Sequence, residues 1–167
     1  MTQLCRHSGL DAVRGLPWGS HFCHLSRTRE DLVETLVPFF AAGLANNEQC
    51  MWATSEPLTT EDATRELAKR VPDLHSRIER GQMRIVSHSD WYTPTGRFYA
   101  DSVLGAWVAA EQSARTCGYD GVRATGHVSF LTTREEWREF QRYESRLSET
   151  LAGRRLRRSG LRGSARG

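Results

Sequence analysis

No two cysteines of this chain stand close enough to form a CxxC pair; the four are at positions 5, 23, 50 and 117. That spacing excludes a zinc ribbon or a thioredoxin-type motif, and free thiols in a reducing compartment are expected. Lysine is nearly absent: Lys69 is the only one, and the other 22 basic side chains are arginine. No apolar run approaches the ~18 residues of a membrane span, so no bilayer crossing is expected. The opening MTQLCRHSGLDAVRGLPWG has no apolar core of signal-peptide length, so a cytoplasmic location is expected. The segment Ser26-Arg27-Thr28-Arg29-Glu30 contains neither glycine nor lysine. A GxxxxGK[ST] loop would wrap a triphosphate in backbone N–H groups; this segment cannot, and nucleotide hydrolysis is not expected.

What remains is an ordinary globular composition. The 167 residues are 38% hydrophobic and 26% charged, room for one domain with a real core. The net charge of +3 is unevenly placed. Residues 154–167, RRLRRSGLRGSARG, hold six arginines and no acid, while 17 basic residues meet 20 acidic ones in 1–153. The body is acidic and the tail basic. The tail lacks apolar periodicity, so it is expected to be disordered and to touch nucleic acid only nonspecifically. Residues 1–17 also lack period and are expected to form a flexible arm, leaving 18–153 as the folded domain.

Within that domain apolar patterning alternates. SHFCHL (20–25), QCMWAT (49–54), QMRIVS (82–87) and DGVRATG (120–126) fit strands. Between them, residues 28–45 repeat Leu32, Leu36, Phe40 and Leu44 on one helical face, with Thr28 and Asp31 placed as a capping box. A helix follows Pro57, a short one ends at Gly81, and others run from Asp101 to Cys117 and beyond Thr132 or Thr133. HSDWYTPTGRF (88–98) fits a loop. This alternation predicts an α/β fold: a three-layer sandwich with a mainly parallel central sheet. Ligands of such sheets bind beyond the carboxyl ends of the strands, and the residues to examine follow from that rule. His21 and Cys23 share one strand face and could reach one ligand. As a Cys-His pair they are the enzymatic alternative; buried core residues are the plainer reading. Glu56 follows the second strand. Trp91 and Tyr92, on the third loop, could wall an apolar pocket. Arg123 and Thr125 share a face of the fourth strand, which runs on to Gly126 and His127.

Four segments together carry a resemblance: His21-Phe22-Cys23, LVPFFAAGLANNEQCMWATSEP, RGQMRIVSHSDWY followed by GRF, and GYDGVRATG. Their order and spacing resemble the MEDS domain over about residues 18–150. The resemblance implies a bacterial or archaeal sensory domain for small hydrocarbon derivatives, similar in strand and helix order to RecA/KaiC-type ATPase cores without the P-loop. It implies a non-enzymatic role, no cofactor, no metal, and a signalling partner such as a kinase or regulator. The ligand-binding set expected from the strand ends is His21, Cys23, Glu56, Trp91, Tyr92, Arg123, Thr125 and His127. A degenerate nucleotide-binding or Cys-His thiol enzyme is the alternative. Two features depart from the family: His127 stands where a glutamate is usual, and the arginine-rich tail stands where a further hydrophobic strand is usual. Without that strand the sheet would keep an open edge, and pairing with a second copy is expected.

Overall fold

Along Gln49–Thr54 every residue from Cys50 onward is buried, and the side chains divide by alternation: Cys50 and Trp52 join one apolar core, Met51 and Ala53 another. A strand buried on both faces belongs in the middle of a sheet covered by helices on each side. The computed structural model of the chain has this architecture. It describes residues 6–10, 13–26, 28–127, 131 and 133–163; for residues 6, 13, 14, 22–26, 127 and 159–163 it describes the backbone alone.

The elements in chain order are β1 (Arg6–Leu10), β2 (Val13–Leu16), β3 (His21–Ser26), α1 (Arg29–Ala45), β4 (Gln49–Thr54), α2 (Thr60–Arg70), α3 (Leu74–Glu79), β5 (Met83–Ser87), α4 (His88–Tyr92), α5 (Ala100–Thr116), β6 (Val122–His127), α6 (Arg134–Leu151) and β7 (Leu156–Gly163). Five strands form one sheet in the order β3-β7-β6-β4-β5, each neighbouring pair parallel. One core lies under α1, α2 and α3 and includes Leu36, Phe40, Trp52, Leu67 and Met83. The other lies under α4, α5 and α6 and includes Tyr92, Phe98, Trp107, Phe140 and Tyr143. The result is the expected three-layer α/β sandwich.

Local chemistry sets the helix starts. Thr28 and Asp31 form the expected capping box on α1, and Thr133 with Glu136 forms a second on α6. Thr59 caps α2. Pro38 sits inside α1, and Gly43 of the same helix lets it settle on the sheet. A Cβ there would come within 2.8 Å of the Arg123 side chain and of the Cys50 sulfur.

Three expectations are corrected. The segment expected to be a loop, 88–98, opens with the short helix α4, whose N-cap Ser87 accepts a hydrogen bond from the Asp90 N–H. The segment expected to be a loose arm forms the antiparallel hairpin β1–β2. It packs on α1, with Leu16 in the core beneath it; residues 1–5, 11 and 12 lie outside the described residues. The largest correction concerns the basic tail. Residues 156–163 are a strand inside the sheet, paired with β3 on one side and β6 on the other; residues 164–167 lie outside the described residues. Leu156, Arg157 and Arg158 are all fully buried. Like charges do not keep this segment out of the fold because each of the two arginines has its own buried acceptors. The sheet therefore receives its further strand from the arginine-rich segment, as an internal strand, and the premise for pairing with a second copy through an uncovered edge is gone.

Candidate functional site

The alternation of β6 sends its predicted site residues to the wrong face for a single shared cavity. Val122 and Ala124 belong to the core under α5 and α6. Arg123, between them, turns toward α1. It donates from Nε to Glu48 Oε2 (2.7 Å) and from Nη1 to the carbonyls of Ser8 and Phe39 (both 2.7 Å). Arg157 of β7 donates to the other oxygen of Glu48 at 2.6 Å, and its guanidinium lies 4.0 Å from the Trp18 ring centroid. Glu48, Arg123 and Arg157 are all fully buried. The trio pins the hairpin, α1, β6 and β7 together. Arg123 is thus held by the protein's own carbonyls and carboxylate, and Thr125 follows it on the same face, fully buried. Neither joins Trp91 and Tyr92, so the expected ligand-binding set is divided between the two faces of the sheet. Cys50 faces the same interior, where burial pushes its thiol pKa up and leaves it a protonated, unreactive group.

On the opposite face the structure does bring predicted residues together. His21 Nε2 lies 2.9 Å from Arg158 Nη1, which also donates to Glu144 at 3.3 Å. Arg158 Nη2 donates to the hydroxyl of Tyr92 at 3.1 Å, and the guanidinium lies 5.2 Å from the Tyr143 ring centroid. The Tyr143 hydroxyl accepts from the Trp107 indole at 2.9 Å. Burial works against the charge on Arg158, but Tyr143, Tyr92 and Glu144 around it outweigh that, and its pKa is raised. Glu144 is the carboxylate of that set, paired with Arg158 at 3.3 Å, and so is its counter-ion. Burial also pushes the Tyr143 pKa well up, with Arg158 opposing. Gly126 lies beneath Tyr92: a Cβ at that position would collide with the Tyr92 hydroxyl. Cys23 pairs in register with Gly160 of β7; the side chains of Cys23 and His127 lie outside the described residues. Glu56 is exposed in the turn after β4, closed by the Ser55–Leu58 bridge.

Trp91 and Tyr92 mark the carboxyl edge. β5 ends at Ser87, and α4 places the two aromatics just beyond it. The chain then turns at Gly96, whose φ is 82°. It returns as a strap anchored by buried Phe98, which packs 6.3 Å from the Tyr92 ring and 5.6 Å from Tyr143. A cleft of about 310 Å³ lies between α4, this strap and the first turns of α5. Trp91, Tyr92, Pro94, Tyr99, Val103 and Ala106 give it an apolar lining; Thr95, Arg97 and Ser102 are its polar members. Its volume is at the lower end of small-molecule sites. Trp91 packs on Trp107 at 4.7 Å between centroids, and its indole nitrogen is buried with no hydrogen-bond acceptor among the described residues. Arg97 and Tyr99 also border a second cleft, of about 280 Å³, with Phe98, Thr133, Glu135, Glu136 and Glu139 on its other walls.

Sequence reasoning found Trp91 and Tyr92 through their position after a strand. It missed Tyr99, Arg97 and the α5 residues Ser102, Val103 and Ala106. The signal was present: Ala106 stands four residues after Ser102 and three after Val103, the spacings that put helix residues on one face. Glu48 and Glu144 left no local trace.

A family model described as MEDS: MEthanogen/methylotroph, DcmR Sensory domain, matches residues 20–157. Among curated proteins none matches the chain. The matched span runs from the start of β3 into β7, and so takes in the cleft, the strap and the Arg158-facing helices.

Proposed function

The chain belongs to the MEDS family of sensory domains, and on that premise we propose that it is a non-enzymatic receptor for a small organic molecule of hydrocarbon character. The cleft at Trp91 is its binding site. The observation that carries this reading is the cleft itself: apolar, aromatic-walled, acid-free and set beyond the end of β5. The reading assigns the protein to the cytoplasm, with a kinase or transcription regulator as the partner that receives its state. The likeness to RecA/KaiC-type cores bears on shape and not on nucleotide chemistry, since the turn into α1 has no glycine or lysine.

Tyr92 supplies a route out of the cleft. Its ring lines the cleft while its hydroxyl is bound to Arg158, and Arg158 in turn holds Glu144 of α6 and His21 of β3. A ligand that shifts the Tyr92 ring alters a buried charge-assisted hydrogen bond, and so the relative stability of two positions of α6.

A thermal-shift screen of short alcohols, acids, halocarbons, amines and small aromatics, with magnesium-ATP included, tests this. A ligand at 100 times its Kd stabilises the fold by about 2.7 kcal/mol, which is about 5–11 °C for a chain of this size. Ala106→Phe fills the cleft and should abolish that shift without unfolding the protein. A compound whose shift survives Ala106→Phe binds elsewhere, and a shift given by magnesium-ATP alone would overturn the reading.

A further inference from the structure

We infer that the Trp91 cleft selects molecules that combine a compact apolar body with a carboxylate, and discriminates against amines of the same shape. The inference rests on the reading of the cleft as the ligand site and assigns that site its chemical class.

Three observations converge. First, every polar side chain lining the cleft can donate a hydrogen bond, and none is a carboxylate: Thr95, Arg97 and Ser102. Second, the buried indole N–H of Trp91 has no acceptor among the described residues. The N–H has no accessible surface, so a ligand oxygen would answer it only on a shift of the Trp91 ring. Third, Arg97 is the only charged residue of the lining. It is exposed, and it makes no hydrogen bond or ion pair among the described residues, so its guanidinium fork is available to a ligand. An ammonium in this cleft would meet one cation and no anion.

The neighbouring cleft sharpens the contrast. Across Arg97 and Tyr99 it carries Glu135, Glu136 and Glu139. Two of its three glutamates have other engagements: Glu136 accepts from the Thr133 N–H at 2.9 Å, and Glu139 accepts from Arg142 at 3.1 Å. Arg97 therefore stands on the boundary between an acid-bearing cleft and an acid-free one. Among the described residues no carboxylate lies within ion-pair distance of that guanidinium to compete with a carboxylate ligand in the acid-free cleft.

The test uses the purified full chain and three probes with the same ring: benzoate, benzamide and benzylamine. Binding is followed by the indole N–H resonance of Trp91 and by calorimetry at low salt. Benzoate should bind about fivefold tighter than benzamide, the scale of an exposed charge pair, and benzylamine should not saturate. Raising salt should shrink the benzoate preference toward unity. Arg97→Gln, at an exposed position, should bring benzoate to the level of benzamide. The inference is overturned if benzylamine binds as tightly as benzoate, or if Arg97→Gln leaves the benzoate-to-benzamide ratio as it was. Benzamide binding without a benzoate preference would sink the inference and leave the receptor reading standing. If none of the three binds, the inference fails, and the wider screen with its Ala106→Phe control decides the reading separately.

Discussion

Replacing Glu48 by glutamine is the sharpest probe of how this fold is held, because one carboxylate neutralises two buried arginines. Glu48 receives Arg123 Nε at 2.7 Å, Arg123 Nη2 at 3.2 Å and Arg157 Nη1 at 2.6 Å, with all three residues fully buried. Glutamine keeps the shape but turns one oxygen into an N–H₂ group that faces guanidinium donors. Two cations are then left in the interior with no anion. Breaking one buried pair typically costs about 3–5 kcal/mol. The whole fold has about 5–15 kcal/mol to lose, so Glu48→Gln should remove a large share of it. At about 2–4 °C per kcal/mol for this chain length, melting should fall by about 6–20 °C. The charge count gives a second, discriminating expectation. Arg157→Met leaves Glu48 balanced by Arg123 alone, and methionine still packs against Trp18. It should therefore cost less than Glu48→Gln although it removes a larger polar group. Urea unfolding of both variants, with matching m-values to confirm two-state behaviour, measures the pair. A loss below about 1 kcal/mol for Glu48→Gln, well short of a broken buried pair, would refute the reasoning, as would a larger loss for Arg157→Met.

Removing residues 156–167 should unfold the domain or leave it aggregating, because β3 reaches the rest of the sheet only through β7; circular dichroism melting that changes by only a few degrees would contradict this. Alkaline titration should expose Tyr143. Burial raises its pKa above the unfolded value of about 10. Below that pH both states keep the proton and stability is level. Above it the unfolded state releases the proton first, so stability falls as pH rises toward the folded pKa. Urea midpoints between pH 8 and 11 should show this decline, and Tyr143→Phe should flatten part of it; an unchanged slope would refute the assignment.

The parts of the fold that could be read from the sequence are those whose causes are local. Thr28 and Asp31 are three residues apart, residues 50–53 are a continuous apolar run, and Leu32, Leu36, Phe40 and Leu44 recur every four residues. The MEDS resemblance rests on such local segments and was legible for the same reason. β7 was not legible because its partners are remote. Arg157 reaches Glu48 across 109 positions, and Arg158 reaches Tyr92 across 66. A run of arginines in isolation looks like solvated charge; only the tertiary structure shows where each charge is answered. The site divides in the same way. Trp91 and Tyr92 could be placed by the strand before them, whereas the face of Arg123 depended on a one-residue register that its own sequence does not reveal. The α5 wall of the cleft carries ordinary helix residues whose role exists only because the Phe98 strap turns back over them.

Backbone and indole chemical-shift mapping tests whether the cleft between α4, the strap and α5 is where this sensory domain takes its ligand. The protein is titrated with the compound that gives the largest thermal shift. Saturable changes should concentrate on the Trp91 indole N–H, on Tyr92 and on residues 94–106, with smaller ones carried to Glu144 and His21. Saturable changes centred instead on Arg123 and Thr125 beneath α1, or a screen in which no compound saturates, would contradict it.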